Sequence, residues 1–78
     1  MIMKIDGEQL NIMVREKRLQ ARLSQVELSS LSGVSRTCIS EVEHGKYIPS
    51  IILLLKLARA LNCSLNELVL TGGVKLNE

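Results

Sequence analysis

Apolar residues recur three and four positions apart in five stretches of this chain, and each stretch opens on a residue suited to capping a helix. Ser24 is followed three residues on by Glu27, with Leu23 and Leu28 placed as a hydrophobic staple across the cap. Ser35 has Val34 and Ile39 in the same staple positions, and Ser64 has Glu67 three residues on with Cys63 and Leu68 around it. Ser50 follows Pro49, which keeps the preceding loop out of a helix. Asp6 with Gln9, flanked by Ile5 and Leu10, reads as a fifth start.

These starts predict a first helix over 7–21, with Leu10 and Val14 turned inward and Met13 and Ala21 beside them. A second helix over 25–32 would bury Val26, Leu28 and Leu31, and Gly33 suits the left-handed residue that ends it. A third runs from 36 to about 44 on a back of Ile39 and Val42, closed by Gly45. A fourth, from 51 to about 62, offers Leu54, Leu55, Leu57, Ala58 and Leu61 to the core; a fifth runs from 65 to about 71. Residues 1–5 and 74–76 are short and partly alternating. They fit either a two-stranded ribbon, within one chain or across a dimer, or frayed ends. The expected fold is all-α: one compact five-helix domain over 1–78, its core about 9–71, with short terminal strands as an option.

Composition narrows the chemistry. Hydrophobic residues make up 46% of 78, yet Tyr47 is the one aromatic, so the core must be aliphatic. Two cysteines outside any Cys-x-x-Cys pair and a single histidine, His44, make no metal set, and they read as reduced thiols of a cytoplasmic protein. No cofactor or small-molecule site is expected. His44 is alone at a helix end, no acid pair shares a plausible pocket and no glycine-rich phosphate loop exists, so an enzyme is not expected. The chain shows no secretory signal pattern, and the run Ile51 to Leu55 stops at Lys56, far short of the ~20 residues of a membrane span. The net charge of +2 does not by itself argue for nucleic acid.

The placement of charge does argue for it. Arg36, Thr37, Ser40 and Glu41 share one face of the third helix. Arg36 has the fork for guanine O6 and N7, and Thr37 offers a methyl and a hydroxyl. Ser40 can reach a base or a phosphate. Glu41 is repelled by phosphate but can accept from cytosine N4; turned to solvent or toward Lys46, it would have no such role. Helix starts bind phosphate through free amides, which points to Gln25 and Ser35, and Arg18, Arg22, Lys46 and Tyr47 add contacts around them. Cys38 on the same helix is open to a redox reading, with an inert thiol as the alternative.

At these residues the chain resembles a known family. Leu-Ser-Gln-x-Glu-Leu at 23–28, Val-Ser-Arg-x-x-Ile-Ser-x-x-Glu-x-Gly-Lys at 34–46 and Pro-Ser-x-x-x-Leu-x-x-Leu-Ala-x-Ala-Leu-x-x-Ser-Leu-x-Glu-Leu at 49–68 are similar to the Xre-type, lambda and Cro repressor-like helix-turn-helix domain. The likeness spans about 10–70. It implies a regulator, in the repressor mould, that binds a palindromic double-stranded DNA operator as a homodimer. Gln25 would then be a phosphate contact, with Arg36, Thr37, Ser40 and Glu41 reading bases and backbone. The resemblance also implies a buried salt bridge between Arg18 and Glu43. Three departures stand out. Arg22 replaces a glycine that usually ends the first helix, which leaves that cap strained or rearranged. Ser29 replaces a common alanine. Ile52 and Leu53 replace polar residues, and with Ile48 they suggest a dimer interface. A rival dimer surface is Leu68, Leu70, Val74 and Leu76. A rival function is an antitoxin-type interaction module that binds a partner toxin as well as its own operator.

Overall fold

The computed structural model describes residues 2–5, 8–46, 48–71 and 74–75, with side chains for Ile2, 12–46 and 48–69. Five helices follow one another: α1 (Val14–Gln20), α2 (Gln25–Ser32), α3 (Arg36–Glu43), α4 (Ile51–Ala60) and α5 (Leu65–Leu68). Four of the five expected caps are in place. The Ser24 hydroxyl accepts from the Glu27 N–H at 3.0 Å while the Ser24 N–H donates to Glu27 Oε1 at 2.8 Å, so the reciprocal box is complete. Ser35, Ser50 and Ser64 each accept a backbone N–H three residues on at 3.1 Å. Each bond satisfies a donor that the first turn of a helix leaves open.

The fifth start is different. Asp6 lies outside the described residues, and the helix expected from position 7 begins only at Val14, on Met13 with no side-chain cap. Strand β1 (Ile2–Ile5) instead pairs antiparallel with β2 (Glu8–Ile12), and β2 pairs with β3 (Val69–Thr71), which pairs with β4 (Val74–Lys75). The fifth helix is accordingly shorter than expected, giving way to β3 after Leu68. The terminal strands are thus a four-stranded sheet in the order β1-β2-β3-β4, not a two-stranded ribbon. The physical reason lies in Gln9, Leu10, Asn11 and Ile12, which alternate polar and apolar as well as they fit a helical stripe. A helix through 7–21 leaves Ile12 off its apolar stripe, whereas the strand carries Ile12 into the core at 1% exposure. The Met13 N–H then donates to the Leu68 carbonyl at 2.8 Å, tying the start of α1 to the end of α5.

The core is aliphatic. Ile12, Val14, Leu28, Ile39, Val42, Leu57, Leu68 and Val69 are its most enclosed members. Ile39 and Val42 anchor α3 by its back, and Leu54, Leu57, Ala58 and Leu61 supply the inner face of α4. Several apolar residues expected inside are outside: Val26 at 61% exposure, Leu31 at 62%, and also Leu55 and Ala21. On α2 the inward arc is narrow. Leu28 fills it together with half-buried Gln25, Ser29 and Ser32, and Val26 and Leu31 fall on the opposite arc.

Candidate nucleic-acid interface

Helices α2 and α3 meet at a tight turn. Gly33 holds φ +75°, and its N–H closes α2 on the Ser29 carbonyl at 3.0 Å. A side chain at Gly33 would meet nothing within 4 Å, so the left-handed backbone alone selects glycine there. The Val34 N–H is held by the Ser32 hydroxyl at 3.1 Å, and Ser35 then starts α3.

The front of α3 opens into a hollow of about 260 Å³ lined by Arg36, Thr37, Ser40, Glu41 and Lys46. All four residues expected to read bases therefore line one depression, together with Lys46. Lys46 is placed by the end of the helix. Gly45 is left-handed at φ +67°, its N–H bonds the Val42 carbonyl, and the Lys46 N–H bonds the Glu41 carbonyl at 3.0 Å. His44, not expected on this surface, shares the arc of Arg36, Ser40 and Thr37 by helical spacing. Its Nδ1 lies 2.7 Å from the Ser40 carbonyl; a carbonyl only accepts, so Nδ1 carries a proton. Continuing the arc Arg36, Ser40 by four residues would have found it.

Behind this face, Arg18 Nε donates to Glu43 Oε2 at 2.8 Å and Arg18 Nη2 to Glu43 Oε1 at 3.1 Å. The two side chains are 10% and 2% exposed. Arg18 Nη1 also donates to the Leu23 carbonyl at 2.8 Å. Gln25 Nε2 donates to Glu43 Oε1 at 3.1 Å, so one carboxylate holds residues from α1 and α2 against α3. Burial pushes the Glu43 carboxyl up, but the hydrogen bonds from Arg18 and Gln25 and the charges of Arg18 and Arg15 outweigh it and hold Glu43 below the ordinary carboxylate range. Among the expected phosphate contacts, Gln25 is half-buried, Ser35, Arg22 and Lys46 are exposed, and Tyr47 lies outside the described residues. The Ser35 hydroxyl accepts from Cys38 N–H and keeps its own proton to donate.

Arg22 settles the open question about the end of α1. Its N–H bonds the Leu19 carbonyl at 3.0 Å and the Leu23 N–H bonds the Arg18 carbonyl at 3.1 Å, the same closing pattern as at Gly45. Arg22 occupies it at φ +59°, so the cap is kept and the backbone is strained by about 1 kcal/mol. Arg22→Gly is expected to raise thermal stability by about 0.5–1 kcal/mol. If Arg22 meets a phosphate as expected, the substitution should also lower the slope of log affinity against log salt on DNA by about one. A lower unfolding midpoint would contradict the strain.

The helix-turn-helix family pattern matches residues 14–68. The chain belongs to the Xre-type helix-turn-helix family. Its relatives include the ImmF control region 10 kDa protein of Bacillus phage phi105, 37% identical over 86% of this chain and 74% of that protein. The control protein C.SmaI of Serratia marcescens is 39% identical over 80% of this chain and 74% of its own length. Among solved structures, the restriction-modification controller protein C.AhdI from Aeromonas hydrophila superposes with a TM-score of 0.67. It is 41% identical and covers 69% of this chain and 82% of its own. The chain is a helix-turn-helix DNA-binding regulator in which α2 and α3 form the motif. Among the described residues no helix of this regulator is long and apolar enough to cross a membrane.

Proposed function

We propose that this chain represses transcription by binding a palindromic double-stranded DNA operator as a homodimer, with α3 in the major groove of each half-site. The observation that carries the reading is the front of α3, where Arg36, Thr37, Ser40 and Glu41 gather around one hollow while Ile39 and Val42 anchor the back. A helix held by its back and loaded with hydrogen-bonding groups at its front is what base readout requires. Gln25, Ser35, Arg22 and Lys46 flank that face and would fix its register on the phosphates, whereas Arg18, expected among them, is buried with its guanidinium bonded to Glu43 and the Leu23 carbonyl and holds α3 from behind.

Support for a dimer comes from α4. Ile51, Ile52 and Leu55 are exposed on one arc of the helix, and Ile48 is exposed just before it. Leu53, expected beside them, is instead half-buried against the core, so Ile51 and Leu55 take its place in the proposed contact. A symmetric pair through this face would present two reading helices to half-sites about one turn, ~34 Å, apart.

Selection from a random-sequence duplex pool should return a palindromic consensus. Arg36→Ala should relax base preference at one position per half-site, a loss of about 1–3 kcal/mol of discrimination. Gln25→Ala should weaken all sequences alike. A uniform loss of affinity in Arg36→Ala would make Arg36 a phosphate contact, and a pool without consensus would remove the operator altogether.

A further inference from the structure

We infer that Glu41 reads an exocyclic base amino group in the major groove, and so determines one position of each half-site. The inference rests on the placement of α3 in the groove proposed above. It starts from which acids of the motif are already engaged. Glu27 is bound in the Ser24 capping box, and Glu43 is bound by Arg18 and Gln25. Glu41 is half-exposed, and among the described residues no hydrogen bond or ion pair engages its carboxylate. Lys46, the partner that would make Glu41 a merely neutralised surface charge, forms no ion pair with it, although the Lys46 N–H is fixed on the Glu41 carbonyl. Arg36 is likewise uncommitted.

Among the described residues the hollow is therefore lined by one unpaired carboxylate and two unpaired cations. A carboxylate only accepts hydrogen bonds, and phosphate has no proton to give. The donors that the major groove exposes are cytosine N4 and adenine N6. Arg36 and Lys46, which line the same hollow, offset the repulsion between the acid and the backbone, so the carboxylate can approach a base edge. Arg36 supplies donors for guanine acceptors one turn earlier on the helix. The hollow thus presents donors first and an acceptor next, a pattern that matches a guanine beside a base bearing an amino group.

The test uses the full chain and a random-sequence duplex pool, with Glu41→Ala and Arg36→Ala selected in parallel. The base found at the Glu41-dependent position is then replaced in the selected duplex by each of the other three, and by its analogue lacking the amino group, 2-pyrimidinone for cytosine or unsubstituted purine for adenine. The wild-type chain should prefer cytosine or adenine at that position by about tenfold. Loss of the amino group should cost the same, and the cytosine and adenine arms identify which base is read. Glu41→Ala should flatten this position alone. The inference is overturned if Glu41→Ala keeps every base preference and binds all duplexes more tightly, because Glu41 is then only a repelling charge. Arg36→Ala separates the two failures. If it alters the consensus while Glu41→Ala does not, α3 still reads the groove and the Glu41 assignment alone falls. If neither substitution alters it, the placement of α3 falls as well.

Discussion

Arg18→Ala is expected to lower the thermal unfolding midpoint by about 12–24 °C, the equivalent of about 3 kcal/mol in a domain of this size. The substitution removes both hydrogen bonds from the guanidinium to Glu43 and leaves a carboxylate that is 2% exposed with Gln25 as its remaining donor. Removing one partner of a buried pair costs more than the pair contributes, because the stranded charge keeps its desolvation penalty. A chain of 78 residues has a total stability of about 4–12 kcal/mol, so the loss is a large share of it. The pH dependence gives a second check. In the wild type the Glu43 carboxyl titrates below its ordinary range. Its contribution is therefore fully present above the unfolded-state pKa and is lost as pH falls through the lower folded value. Without Arg18, burial dominates and pushes the carboxyl up, so the variant sheds its penalty by taking up a proton. The gap in stability between wild type and Arg18→Ala should shrink as pH is lowered from 7 to 4. An unchanged midpoint at pH 7, measured by circular dichroism, would refute the role of the pair.

Ile52→Glu should convert the protein to a monomer at tens of micromolar and weaken operator binding by about 100-fold or more. Ile52 is 62% exposed and contributes nothing to the core, so the fold should retain its midpoint. The new carboxylates would face one another across a two-fold axis and meet the neighbouring apolar residues Ile48, Ile51 and Leu55. A monomer holds one half-site and loses the second set of contacts, which is why affinity falls far more than one side chain could account for. Sedimentation of wild type and variant decides the matter. A wild-type chain that is monomeric at high micromolar concentration, or a variant that stays dimeric, would place the dimer contact elsewhere or remove it.

Local chemistry was legible where one short range of sequence decides the outcome. Ser24, Ser35, Ser50 and Ser64 each cap a helix because the hydroxyl needs only the N–H three residues on. The shared face of Arg36, Thr37, Ser40 and Glu41 follows from helical spacing alone, and the same spacing reaches His44, which the reading left out. The family pattern pointed to Arg18 with Glu43, a pair 25 residues apart that no local rule would join. What stayed hidden depended on distant partners. Glu8–Ile12 is a strand because Val69–Thr71 lies beside it, and in isolation Gln9, Leu10, Asn11 and Ile12 fit either period. Val26 and Leu31 had the composition of core residues, yet α2 needs only Leu28 to close its contact, and their exposure comes from how α3 and α4 pack around it. Leu53 and Leu55 exchanged roles for the same reason: two positions on α4 decide between solvent and core, and an all-leucine stretch does not reveal which.

The ladder between β2 and β3 has a kinetic consequence. Its partners, Ile12 with Val69 and Leu10 with Thr71, come from opposite ends of the chain, while the starts of α2, α3, α4 and α5 are each specified by residues three apart. Closing so long a loop costs entropy before any pairing returns it, and the cost falls once the helices between have collapsed. The topology predicts an order of assembly: α2, α3 and α4 dock first around Leu28, Ile39 and Leu57, and the sheet pairs last. Native-state hydrogen exchange should then find the β2–β3 ladder opening at a lower free energy than the DNA-reading pair of helices, α2 and α3.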